Sequence, residues 1–179
     1  MKKLKNAKGF TLVETLTCMI ILVILGGICS TGMNVAMKSY QETVFESNSQ
    51  TLASSLELYM NDILRYATDV KTDADAEAVE GYRPVEGFTN PAYQIYEGMI
   101  AVPSEGETEG KMVIYTRPEG ESARKQFLIV GEGMYAENMY IADFTLKYNA
   151  TTQCFEGEYK IKSNSMVRTY TFGCRTISE

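Results

Sequence analysis

From Thr15 to Met37 the chain runs for 23 residues without a charged side chain, and it includes the unbroken apolar run Cys18 to Leu25. As a helix this segment is long enough to cross the roughly 30 Å hydrocarbon core of a bilayer, which takes about 20 residues. Lys2, Lys3, Lys5 and Lys8 precede it with no acid among them. Positive flanking charge holds that end in the cytoplasm and places everything after Lys38 outside. A secretory signal peptide has the same basic start and apolar core. It would be cut just past the apolar run, where Cys29-Ser30-Thr31-Gly32 offers small residues. A lipoprotein signal fits less well, because Ile28 stands before Cys29 where a small residue is needed.

Composition narrows the function classes. The 179 residues suit one ordinary domain plus an extension. There is no histidine, which removes the commonest general base and the commonest transition-metal ligand together. A net charge of −6 and an isoelectric point near 4.9 argue against nucleic acid as a partner, since phosphate binding needs a basic surface. The four cysteines, at 18, 29, 154 and 174, have neither Cys-x-x-Cys nor zinc-knuckle spacing. No Gly-rich phosphate loop and no supported nucleophile appear, so no catalytic residue, cofactor or metal ligand is assigned and no enzyme is expected.

The front of the apolar run is more specific. Lys8-Gly9-Phe10-Thr11-Leu12-Val13-Glu14 sets a Gly-Phe junction behind a basic leader, with an acid four residues further on. This resembles the leader and processing site of type IV prepilins and the related pseudopilins. The resemblance covers about the first 35 residues. It implies cleavage by a prepilin peptidase after Gly9, N-methylation of the new terminal Phe10, and retention of the apolar helix as anchor and assembly module. It assigns Glu14 as the acidic assembly residue. The mid-helix proline of many pilins is absent here, and Gly26-Gly27 is the substitute point of flexibility.

Physical chemistry bears on Glu14 independently. A carboxylate at the edge of a spanning segment is unfavourable, and such residues are usually paired and functional. Cleavage after Gly9 creates an amine on Phe10, which in a bundle of staggered helices can neutralise Glu14 of a neighbour. The competing reading is a glutamate held by the positive end of its own helix.

Beyond the span, Phe45, Leu52, Leu56, Tyr59, Ile63, Tyr66 and Val70 follow a 3–4 spacing, which predicts an amphipathic helix lying on a globular domain. A continuous helix from about Phe10 to Val70 would be about 90 Å long. Ser47-Asn48-Ser49 is its weakest stretch. Residues 72–90, rich in acid, Gly and Pro, read as a connector. Asp73, Asp75 and Glu77 there resemble part of a calcium loop but lack the full ligand series, so a solvated loop is expected. From Tyr93 the period becomes two, with strands expected over 98–102, 111–116, 125–130, 139–148, 155–161 and 167–172. The last two strands bracket a turn at Ser163-Asn164-Ser165. Pairing symmetric about Asn164 sets Cys154 opposite Cys174, where an extracellular disulfide is allowed. A one-residue slip instead joins Phe155 and Phe172 on one face and separates the cysteines. Both registers stay open.

The expected architecture is therefore α+β. A leader (1–9), a transmembrane and assembly helix (10–37) and an amphipathic helix (38–71) precede a β-rich domain (72–179) whose small antiparallel sheet packs on the helix, as in pilins. The resemblance implies a structural subunit, of the minor kind, of a type IV pilus or of a type II secretion or competence pseudopilus. Its implied partners are the prepilin peptidase, other pilins, an assembly platform protein with its ATPase, and membrane lipid. It would stand in the cytoplasmic membrane with its C-terminal domain outside, and on the cell surface once in a fibre. The alternative is a single-pass, membrane-anchored extracellular binding protein that never polymerises.

Overall fold

The computed structural model describes residues 11–117 and 123–177. Among these residues one α-helix, α1 (Leu12–Arg65), is followed by eight strands: β1 (Thr68–Thr72), β2 (Arg83–Asn90), β3 (Ile95–Ala101), β4 (Val113–Thr116), β5 (Lys125–Leu128), β6 (Met139–Asn149), β7 (Cys154–Ser163) and β8 (Met166–Arg175). All recorded pairings are antiparallel, in the order β5-β4-β3-β2-β6-β7-β8, with β1 added to β2. This is the α+β, pilin-like layout. The chain divides into two units at Thr43/Val44.

In the first unit α1 carries no charge from Thr15 to Met37 and is predominantly apolar there on every side. Each residue from Thr11 to Val44 is exposed in the single chain. The helix continues unbroken through Gly26-Gly27, where an added Cβ would meet nothing within 4 Å. It continues through Ser47-Asn48-Ser49 as well.

In the second unit α1 is striped. Phe45, Ser49, Leu52, Ala53, Leu56, Met60 and Leu64 are buried at spacings of three and four, which marks one helical face. Leu52 and Leu56 lie where the sequence pattern places them. After Leu56 the stripe steps by four to Met60 and Leu64, so Tyr59 is half exposed and Ile63 only partly buried. The helix ends at Arg65 rather than near Val70. The Ala67 N–H turns back to Leu64 O (3.1 Å), Asp69 takes φ +48°, and Val70 enters β1.

The segment expected as a connector contains β2, which is a central strand. Its register Phe88↔Gly98 joins β3, Pro84↔Lys147 joins β6, and Thr68↔Thr89 joins β1. Pairing on both edges overrides the poor strand propensity of Pro84 and Gly87. The later strands fall close to their expected ranges. Within β6, Asp143 adopts φ +51° at the register shift between Ala142 and Phe144, a bulge that turns its carboxylate to Lys160 (3.2 Å).

Sheet polar groups bind α1 at its backbone. The Tyr159 hydroxyl donates to Ala53 O (3.2 Å), and Asn90 Nδ2 donates to Ile63 O (2.6 Å). The Cys174 thiol points to Asn61 O (3.6 Å), and the Ile177 N–H donates to Arg65 O (2.8 Å). Ser49 and Tyr170 share a hydroxyl–hydroxyl bond of 2.8 Å. Asn90 is fully buried, and its Oδ1 accepts from the Tyr93 N–H, so both ends of the amide are used.

The β7–β8 hairpin takes the slipped register. Phe155 faces Cys174, Gly157 faces Phe172 and Cys154 faces Arg175. Both cysteines are free thiols, Cys174 buried and Cys154 half-buried on the opposite face. The disulfide register is overturned because the slip gathers Phe155, Tyr159 and Phe172 in the core. Gly157 makes room for the Phe172 ring.

Candidate functional site

The sequence places the candidate site at the head of α1. Gly9 and Phe10 lie outside the described residues, so the site is seen from Thr11 onward. Thr11 O accepts the Thr15 N–H (3.2 Å), the first helical bond, which makes Thr11 the N-cap. Glu14 Oε2 accepts both the Thr11 N–H and the Thr11 hydroxyl, each at 2.9 Å. Thr11 Oγ1 in turn accepts the Glu14 N–H at 3.3 Å. This reciprocal pattern is a capping box, Thr-x-x-Glu. It satisfies donors that a helix start would otherwise leave bare, a heavy cost where no water is present.

Polar side chains further along the span are satisfied in the same local way. Thr15 Oγ1 donates to Leu12 O (2.9 Å) and Thr17 Oγ1 to Val13 O (2.8 Å). Thr31 Oγ1 reaches Ile28 O (2.9 Å). What remains on the outside is hydrocarbon: Leu12 is 83% exposed, Val23 75% and Met33 73%. Such a surface needs lipid or other apolar helices as its surroundings. Among the described residues α1 is the one helix long and apolar enough to cross a membrane.

Residues 4–30 match the family model of the prokaryotic N-terminal methylation motif. The chain is type IV prepilin-like. No curated protein and no solved structure matches it. The match spans Gly9, Phe10 and Glu14, and the structure describes only the last of these.

No group of three or more His, Cys, Asp or Glu side chains converges as a metal site among the described residues. Asp73 instead accepts the Asp75 N–H (3.0 Å) within its own turn. Thr11 is the residue that sequence reasoning missed. Its signal was present, since a threonine three residues before a glutamate at the head of an apolar run is the capping-box signature.

Proposed function

We propose that the chain is a structural, non-enzymatic subunit, of the minor kind, of a type IV pilus or of a type II secretion or competence pseudopilus. A prepilin peptidase cuts after Gly9 and Phe10 becomes the N-methylated terminus. Before assembly the subunit stands in the cytoplasmic membrane with its β-domain outside. A platform protein and its ATPase then move it into a fibre, where apolar helices collect in the core. Losing the four leader lysines leaves the subunit more acidic, so mature copies repel except where helices pack. Glu14 pairs with the Phe10 amine of a neighbour and sets the register between helices. The observation that carries this reading is an apolar helix exposed on all sides and headed by Glu14, inside a segment that matches the methylation motif.

The capping box shapes the test, because glutamine can replace glutamate within it while removing the charge. Glu14→Gln keeps the helix start and should leave the membrane level normal. Recovery in sheared surface fibres should fall at least tenfold. Fibre incorporation of Glu14→Gln at the parental level would leave Glu14 as a helix cap and nothing more. Intact mass and N-terminal sequencing of membrane-extracted protein should show a chain beginning at methylated Phe10. A chain that starts at Met1 and never enters fibres would be the anchored, non-polymerising binding protein.

A further inference from the structure

The free edge of β8 is the longest unprotected strand edge among the described residues. β7 occupies one side of β8 from Met166 to Arg175 with no register shift. The Ile141 N–H bonds Gly110 O, away from β7. This fixes the alternation across the hairpin, so the even-numbered residues of β8 bond β7 and the odd-numbered ones point their backbone outward. The Thr176 N–H, which bonds Gln153 O, obeys the same parity. Val167, Thr169, Thr171 and Gly173 therefore present N–H and C=O groups to the open edge, and all four residues are exposed. The edge closes only at Ile177, whose N–H donates to Arg65 O of α1.

Natural sheets guard such edges with brevity, proline, bulges or charge. The other two outer strands are guarded: β5 has four residues, and β1 has five with two register shifts. β8 has ten residues, no proline and no bulge, and of its outward residues only Arg175, at its last position, is charged; the other four are Val167, Thr169, Thr171 and Gly173. Three of those four are β-branched, which favours pairing.

We infer that the β8 edge pairs antiparallel with the β8 edge of a second copy of this chain, centred on Tyr170. The open stretch is its own complement. In that register Thr169 meets Thr171 of the other copy, and Val167 meets Gly173. Arg168, the one charge within the stretch, meets Phe172 rather than another arginine. α1 runs in the same direction as β8, since Glu46 reaches Arg168 (3.5 Å) and Asn61 O lies at Cys174. Antiparallel pairing thus points the α1 entry ends of the two domains in opposite directions. The contact joins copies on two fibres rather than neighbours within one fibre, and in this respect it rests on the fibre reading. One four-residue edge is a small interface, but repetition along two fibres multiplies it by avidity. The consequence is lateral bundling.

Full-length mature chain in detergent is measured by sedimentation equilibrium, alongside Thr171→Pro and Thr169→Lys. Proline at 171 removes an outward N–H and leaves the β7 ladder intact. Lysine at 169 adds a guarding charge. Far-UV circular dichroism confirms that both variants are folded. The expected result is a monomer–dimer equilibrium weakened at least tenfold by each substitution. A wild-type chain that stays monomeric overturns the pairing. So does a dimer that both folded variants form equally well, because it would be held through α1. The measurement needs no fibre, so a β8-dependent dimer of a chain found to start at Met1 and never to enter fibres would discard the fibre reading and keep the edge contact.

Discussion

Replacing Gly157 by alanine tests whether the Phe172 ring keys β8 into the core. A Cβ on Gly157 would lie 2.0 Å from Phe172 Cε1 and 2.3 Å from Cζ, well inside van der Waals contact. The ring has little room to yield. Phe172 is 5% exposed, and its centroid sits 6.4 Å from that of the fully buried Tyr159. Overpacking a core typically costs about 1–3 kcal/mol, and removing a buried phenylalanine altogether costs about 3–5 kcal/mol. Gly157→Ala should therefore lose about 2–4 kcal/mol, a large share of a stability of roughly 5–15 kcal/mol. Urea unfolding followed by tyrosine fluorescence measures this, since the chain has 12 tyrosines and no tryptophan. A double-mutant cycle supplies the control. In a Phe172→Ala background the same change should cost less than about 1 kcal/mol, because the obstructing ring is gone and alanine suits a strand better than glycine. A loss within about 0.5 kcal/mol in the parental background, the range of a neutral surface change, would refute the keying.

Asn90→Ala strands both Ile63 O and the Tyr93 N–H, so it should cost about 2–4 kcal/mol by denaturant unfolding and loosen the end of α1 in hydrogen exchange. Tyr135, whose hydroxyl accepts the N–H of fully buried Met112 (2.9 Å), is pushed up to about 12 by burial. Below pH 10 this tyrosine is neutral in both folded and unfolded chains. Between pH 10 and 12 the unfolded state alone releases the proton, so stability falls there as pH rises. Tyr135→Phe should cost about 1–3 kcal/mol at pH 7 and make that alkaline decline shallower. Burial also raises the Cys174 thiol. Native iodoacetamide labelling should modify Cys154 well before Cys174, and a non-reducing digest that yields a Cys154–Cys174 peptide would contradict the register of the hairpin.

The parts of the fold legible in the sequence were those set by local pattern. The uncharged run declares its helix, and the alternation in Met139–Tyr148 and Phe155–Ile161 declares strands. The stripe through Leu52 and Leu56 was readable, but steps of three and four are both helical. Only the sheet decides that Met60 and Leu64, rather than Tyr59 and Ile63, turn inward. β2 was hidden because Pro84 and Gly87 speak against a strand locally, while its stability comes from partners far away in sequence. The hairpin register was undecidable for the same reason: Gly157 matters only once Phe172 is known to lie over it. Gly9, Phe10 and Glu14 were assigned through their motif, and of these Glu14 alone lies within the described residues. Thr11 is legible only when it is read together with Glu14 as the two halves of one capping box.

The attachment of the β-domain to α1 also has a mechanical meaning. Its bonds are spread along the helix, from Glu46 and Ser49 through Ala53 to Asn61, Ile63 and Arg65. β8 lies alongside that helix and runs in the same direction. Tension applied along the Glu46–Arg65 part of α1 therefore shears all of these bonds at once instead of peeling them one after another. A domain held in this way resists being stripped from its helix by a pull along the helix axis, and it yields far more readily to a sideways pull that opens the contacts in turn.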